Sequence, residues 1–185
     1  MADKPVRRWG GAVLKRLVPD EFVQSIYEID FRELQRRGVK AVIVDLDNTL
    51  VESTRPQATP ELVSWLDQLR GMGFKVMIVS NNKRTRVSRF ATPLRVPFIH
   101  RARKPLSAAF KKAMGRLEVT AADSVMIGDQ IFTDVLGGNT LGLHTILVVP
   151  VSDAEGIFTK INRLMERMIL RWMKQRGLLG WEEQK

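Results

Sequence analysis

Asp45 and Asp47 stand one residue apart at the end of "VIVDLDNTLV", residues 42–51. The β-branched run before them, Val42, Ile43 and Val44, reads as a buried strand. Side chains two apart on an extended chain project to the same side, so the two carboxylates face one space. Like charges that close repel unless a cation or a proton relieves them. The pair therefore points to a bound cation, to proton transfer, or to both. Three other readings compete with that one. Asp45, Asp47 and Thr49 match the first three ligand positions of a helix–loop–helix Ca²⁺ site. That site needs Gly at its sixth position and Glu at its twelfth, where this chain has Leu50 and Pro56. Turn chemistry alone gives no reason for acids after so apolar a strand. The acid pocket of a phosphorylated receiver domain stays open at this point.

Other polar side chains recur in the same context. "VMIVSNN" is an apolar run ending in Ser80, followed by Asn81. "RARKPLSAAF" places Lys104 just before Pro105 and a helical pattern. "SVMIGDQIFTDVLGG" ends a third apolar run in Gly128-Asp129, with Asp134 five residues on. Each feature alone is a weak signal, because a Ser after a strand is commonly a cap or turn and a Lys before Pro is commonly solvated. His100 and His144 read as core or strand-end residues.

Five apolar runs must carry these groups: Lys40–Val44, Lys75–Val79, Val96–Ile99, Ser124–Ile127 and His144–Val148. They barely alternate, as parallel strands covered on both faces do. Helical patterns separate them. "TPELVSWLDQLRGMG" has Thr59 as N-cap, Pro60 at the first helical position, and Gly71 or Gly73 as the stop. "RTRVSRFATPL" and "PLSAAFKKAMGRL" follow, Pro105 opening the second, and a Gly-interrupted helix covers roughly 132–141. Strands alternating with helices predict an α/β fold with a parallel sheet of about five strands, and open α/β sheets bind ligands at the carboxyl ends of their strands. A further helix is expected around Asp20–Arg37, between Pro19 and Gly38. The organisation predicted is one domain over 1–185: a core at about 39–150, an N-terminal extension 1–38, and a basic amphipathic helix at about 155–176.

Composition narrows the chemistry. The chain has 185 residues and no cysteine, which excludes disulfides, thiolate metal sites and a cysteine nucleophile. Its net charge is +10, placed unevenly. From Arg70 to Arg116 there are thirteen Lys or Arg residues and no acid. Such a field suits a phosphate, an anionic lipid surface or a nucleic acid. No run approaches the length of a membrane-spanning helix, and the N-terminus makes a poor signal peptide.

The ordered set is more specific than its parts. Asp-x-Asp-x-Thr (Asp45, Asp47, Thr49), then Ser80, Lys104 and Gly-Asp-x₄-Asp (Asp129, Asp134) resembles the haloacid dehalogenase (HAD) superfamily of phosphatases. "DLDNTLV", "VSNN", "ARKPL", "GDQIFTDVLGGN" and "TILVVPV" further resemble its subfamily IIIA, YqeG-type members, over about residues 15–180. The resemblance implies a Rossmann-like HAD fold and Mg²⁺-dependent phosphomonoester hydrolysis through an aspartyl-phosphate. Asp45 is then the nucleophile and Asp47 the general acid and base. The metal set is Asp45, Asp47 through its main-chain carbonyl, Asp129 and Asp134, the last by way of a water unless it orients Lys104. Ser80 and Lys104 complete the implied catalytic set, Lys104 balancing the carboxylate charge, and Thr49, Ser80, Asn81 and Lys104 bind the phosphoryl group.

The intervals between motifs bound the access to such a site. Asp47 to Ser80 has room for one helix and a loop, and Ser80 to Lys104 for one helix and a strand, so no cap domain is expected. In "GIFTKINRLMERMILRWMKQR" an apolar side runs from Ile157 to Trp172 and a basic side from Lys160 to Lys174. The stripe either packs on the domain or lies on a membrane surface through 156–176. Relatives of the resembled family include phosphatidylglycerophosphate phosphatases. The expectation is a phosphorylated substrate carried on an anionic lipid, met at the cytoplasmic face of a membrane by a cytoplasmic or peripheral protein. A soluble phosphate ester or nucleotide, or an RNA- or ribosome-associated role with little catalysis, are the alternatives; no RNA-binding signature is visible.

Overall fold

The computed structural model describes residues 15–151. The chain divides into two units, Met1–Ser152 and Asp153–Lys185; the expected helix at 155–176 lies outside the described residues, as do the first fourteen positions.

Six parallel strands form one sheet: β1 (Glu21–Val23), β2 (Ala41–Val44), β3 (Lys75–Val79), β4 (Phe98–Ile99), β5 (Ser124–Gly128) and β6 (His144–Val148). Their order across the sheet is β1-β6-β5-β2-β3-β4. β2 lies in the middle, and all four of its residues are buried. Alternate side chains feed two cores, as the pleat requires. Val42 and Val44 join Leu62, Leu66, Leu69, Ile78 and Phe90 on one face. Ala41 and Ile43 join Met77, Phe110, Ala113 and Met126 on the other.

Among the described residues five helices cover these faces: α1 (Phe31–Arg36), α2 (Pro60–Gly71), α3 (Arg84–Ala91), α4 (Ser107–Leu117) and α5 (Leu136–Leu141). α2 begins as its sequence predicts. Thr59 accepts a hydrogen bond from the Leu62 N–H at 3.2 Å, and Pro60 occupies the first turn, where no donor is needed. Leu62, Trp65, Leu66 and Leu69 make one buried stripe at helical spacing. Gly73 follows with φ +86°, a left-handed stop that glycine adopts freely.

Four expectations need correction. The helix expected over Asp20–Arg37 is three elements. Glu21–Val23 forms the sixth strand, in register with Ile146–Val148. Ser25 then caps a single 3₁₀ turn over Ile26–Glu28, and Asp30 caps α1 by accepting from the Glu33 N–H at 2.9 Å. The strand expected from Val96 starts at Phe98, because Pro97 has no N–H to give the ladder and offers only its carbonyl, to the Ile78 N–H. α4 starts at Ser107 rather than Pro105, which follows a cis peptide bond from Lys104. The helix expected at 132–141 is a π-helical turn over Ile131–Val135 running into α5.

No cap is inserted: 48–79 holds α2 and the following strand, and 81–103 holds α3 and β4. Among the described residues no helix is long and apolar enough to cross a membrane.

Candidate active site

The carboxyl ends of four neighbouring strands bring the predicted residues together. Asp45 follows β2, Ser80 follows β3, Lys104 lies on the loop after β4, and Asp129 follows β5. Parallel pairing in register fixes this. Val44 is opposite Ile78 on one side and Ile127 on the other, so the residues just past these strands emerge side by side.

Lys104 is the hub. Its Nζ lies 2.6 Å from Asp45 Oδ1 and 2.6 Å from Asp134 Oδ1. The Lys104 and Asp134 side chains are only 2% and 1% exposed. Burial alone would lower the lysine's pKa, but the charges of Asp134 and Asp45 outweigh it and raise it, so the group stays an ammonium. Asp45, Asp129 and Asp134 offer carboxylate oxygens all within 4.8 Å of one another, and all three residues are buried. Burial pushes the Asp45 carboxyl up to about 6, against the opposing pull of Lys104. Burial, with the charges of Asp45 and Asp134, pushes Asp129 up to about 8. Three buried acids with one ammonium are short of positive charge near neutral pH. Hard carboxylate oxygens at this spacing suit a hard divalent cation such as Mg²⁺, Mn²⁺ or Ca²⁺.

Local structure explains why these acids converge. After Asp47 the chain turns at Asn48 with φ +64°, a conformation Asn tolerates better than most residues. The turn directs Thr49 inward, where its hydroxyl donates to Asp129 Oδ1 at 3.1 Å. The π-helical turn swings Asp134 back, and its Oδ2 accepts from the Gln130 N–H at 3.2 Å. A Cβ at position 128 would collide with the Asp134 carboxyl group, so Gly128 is the residue that admits it.

Asp47 is held separately. Its Oδ1 accepts from Arg86 Nε at 3.0 Å and lies 2.9 Å from Arg86 Nη2; its Oδ2 accepts from Asn82 Nδ2 at 2.9 Å. The Arg86 guanidinium lies 5.5 Å from the centre of the Phe90 ring. The buried cluster of three acids is thus complete without the Asp47 carboxylate. Ser80 is buried, and its Oγ accepts from the Asn82 N–H at 3.1 Å. The Asn81 side chain clasps the backbone of Lys104, accepting from its N–H at 2.7 Å and donating to its carbonyl at 3.3 Å. A cavity of about 270 Å³ opens over these groups, lined by Asp45, Asp47, Ser80, Asn82, Lys104 and Thr133 among others.

Asn82 and Arg86 are the site residues that sequence reasoning missed. Their signal was faint: a second Asn after Ser80, and an Arg one turn into α3 among many basic residues. His144 sits at the amino end of β6, away from the site, with Nε2 2.7 Å from Glu21 Oε1. His100 packs beside Phe98. Both fit the expectation of core or strand-end residues.

Comparison with known proteins places the chain in a family. A family model described as Hydrolase_like, HAD-hydrolase-like, matches residues 101–150. The "Probable phosphatase YqeG" of Bacillus subtilis is 52% identical over 169 residues, covering 91% of this chain and 98% of that protein. The chain belongs to the YqeG family of HAD-type phosphatases. A more distant relative, phosphatidylglycerophosphate phosphatase 1 of Arabidopsis thaliana, is 27% identical over 86% of this chain and 49% of its own length. Among solved structures, the cobalt-bound deoxy-D-mannose-octulosonate 8-phosphate phosphatase of Haemophilus influenzae superposes with a TM-score of 0.51, covering 78% of this chain and 95% of that one. At 19% identity that likeness shows the fold alone. The family's activity, phosphate ester hydrolysis, agrees with a site made of acids and one ammonium.

Proposed function

We propose that this YqeG-family phosphatase removes the terminal phosphate of phosphatidylglycerophosphate, releasing phosphatidylglycerol and inorganic phosphate. The observation that carries the chemistry is the gathering of Asp45, Asp129 and Asp134 around Lys104 beneath an open cavity. The lipid substrate rests on two supports: the plant relative that bears this activity in its name, and, among the described residues, intervals 48–79 and 81–103 that hold no inserted cap and carry exposed cations beside the site residues.

Asp45 attacks phosphorus through a carboxylate oxygen. The bond to the leaving oxygen breaks, and Asp47 gives that oxygen a proton. Water then attacks the aspartyl-phosphate, Asp47 takes its proton, and phosphate leaves. Asp45, Asp129 and Asp134, with the main-chain carbonyl of Asp47, would hold Mg²⁺, which would supply positive charge against the phosphoryl oxygens. Lys104 balances the nucleophile and attracts the dianion. Ser80 and the amides beside it donate to the phosphoryl oxygens. We assign Thr49 and the Asn81 side chain supporting work: Thr49 fixes Asp129, and Asn81 fixes the backbone that delivers Lys104.

The test is phosphate release from phosphatidylglycerophosphate in vesicles and from soluble sugar phosphates and nucleotides, with Mg²⁺ or with chelator. Metal-dependent release, fastest on the lipid and lost in Asp45→Asn, is expected. A faster rate on a soluble ester overturns the lipid assignment. Equal, metal-independent rates for the wild type and Asp45→Asn overturn the mechanism.

A further inference from the structure

The segments that bring Ser80, Asn81, Asn82 and Lys104 to the catalytic cavity also carry a cationic rim that no step of the reaction uses. Two loops build it, residues 80–83 after β3, leading into Arg84 of α3, and 100–106 after β4. They are stitched together: the Arg101 N–H donates to the Asn82 carbonyl at 2.9 Å, the Ala102 N–H to the Ser80 carbonyl at 3.0 Å, and Asn81 clasps Lys104. Burial alternates along the second loop. Ala102 and Lys104 point in, and Arg101 and Arg103 point out. Sending Lys104 into the site therefore sends the two arginines to solvent. Lys83, on the neighbouring loop, and Arg84, at the start of α3, are exposed. Among the described residues, no carboxylate forms an ion pair with any of these four cations.

Backbone conformation adds an independent observation. Arg101 and Arg103 have φ of +47° and +56°. Glycine takes that left-handed conformation at no steric cost, whereas residues with a Cβ are disfavoured there. Two long cationic side chains thus occupy positions that local sterics would assign to Gly or Asn. Strain kept beside a site is a pointer to use. Beside them Leu106 is 60% exposed, on a tight turn closed by its N–H to the Arg103 carbonyl at 2.9 Å.

We infer that this rim docks the enzyme on the anionic leaflet of a lipid bilayer, Lys83, Arg84, Arg101 and Arg103 meeting the headgroups and Leu106 entering the acyl boundary. A cationic ring with one aliphatic side chain matches an interfacial contact, in which apolar burial adds to attraction for anionic lipid. A single-stranded nucleic acid would call for aromatic side chains to stack its bases, and the two loops carry no Phe, Tyr or Trp. Docked this way, the cavity opens onto the headgroup layer, where a lipid-borne phosphomonoester lies. The purpose of the rim rests on the lipid reading proposed above; the binding itself does not.

The experiment is co-sedimentation of the full chain with phosphatidylcholine vesicles, with and without phosphatidylglycerol, at low ionic strength. The variants are Arg101→Asn with Arg103→Asn, which tolerate the left-handed backbone, and Leu106→Ser. Lys111→Gln with Lys112→Gln, on the exposed side of α4, makes an equal change in net charge away from the rim. Each cation at an anionic leaflet strengthens binding about fivefold. The arginine pair is expected to lose about 25-fold, Leu106→Ser several-fold, and the lysine pair little. All variants should hydrolyse p-nitrophenyl phosphate at the wild-type rate, which also reports correct folding. Equal losses for the arginine and lysine pairs would reduce the rim to net charge and overturn the proposal. So would Leu106→Ser binding as wild type while the arginine pair loses affinity for a single-stranded RNA homopolymer, which would make the rim a nucleic-acid surface. Rim-dependent vesicle binding without hydrolysis of phosphatidylglycerophosphate would remove the substrate reading and leave the docking surface standing.

Discussion

Replacing Lys104 by Met keeps much of the side chain's length and removes the ammonium from between Asp45 and Asp134. Both contacts are 2.6 Å and lie out of water. Removing one partner of a buried ion pair costs about 3–5 kcal/mol, because the remaining charge is left unpaired. Here two carboxylates lose their partner, and Asp129 stands within 4.8 Å of both. Protonation is the available relief. Burial has already pushed Asp45 up to about 6 and Asp129 up to about 8, so those groups take up protons readily. The loss should therefore approach about 3–5 kcal/mol at pH 8 and shrink towards pH 5, where the acids go neutral. The assay is urea unfolding of wild type and Lys104→Met with chelator present, at both pH values. Mg²⁺ should return part of the loss, since a cation at the three acids replaces the missing charge. A loss below about 1 kcal/mol at pH 8, the range of an exposed pair, would show that Lys104 is not the charge balance of this site.

The wild-type protein should itself show the linkage. A carboxyl raised in the folded state favours folding when protonated, so its contribution is complete below its unfolded value of 3.8 and fades as pH rises through its folded value. With chelator, the melting temperature should fall between about pH 4 and pH 8 through Asp45 and Asp129, and Mg²⁺ should flatten that fall; a flat metal-free profile counts against the buried acid cluster. Asp47→Asn should lose about 10²- to 10⁴-fold in rate, the usual share of general acid–base catalysis, and a near-normal rate removes its assignment. Arg86→Gln, which frees Asp47 Oδ1 from its two guanidinium contacts, should lower kcat more than KM and more for alkyl than aryl phosphates, since an alkoxide needs the proton more; uniform losses would make Arg86 merely structural. Gly128→Ala forces a Cβ against the Asp134 carboxyl group and should cost about 1–3 kcal/mol as overpacking with a weaker response to Mg²⁺; unchanged metal-dependent melting would refute that close approach.

The site was legible because its residues contradict their surroundings. Acids and a buried lysine at the ends of β-branched runs violate local hydrophobic logic, and parallel strands in register make such violations converge. The supporting contacts were less visible. Thr49 reads as a phosphate ligand from its motif, yet its hydroxyl faces Asp129. Arg86 reads as one more solvated cation on α3, and only the folded chain sets it on Asp47. β1 was misread for a different reason. Phe22, Ile26 and Ile29 repeat at three to four residues, a helical period, but Glu21–Val23 gains its hydrogen bonds from β6, more than a hundred residues away. The caps Ser25 and Asp30, with Glu33 three residues after the latter, were the local signal that the segment is broken.

The account turns on Asp45 as the atom donor to phosphorus. Rapid quenching of the wild-type enzyme during turnover with Mg²⁺ and an isotopically labelled phosphate ester, followed by peptide mapping under acid conditions, tests this most directly. Label is expected on the peptide carrying Asp45, chased away by unlabelled substrate and absent from Asp45→Asn. Turnover that proceeds with no label at Asp45, or with label on Ser80 instead, would contradict the mechanism at its root.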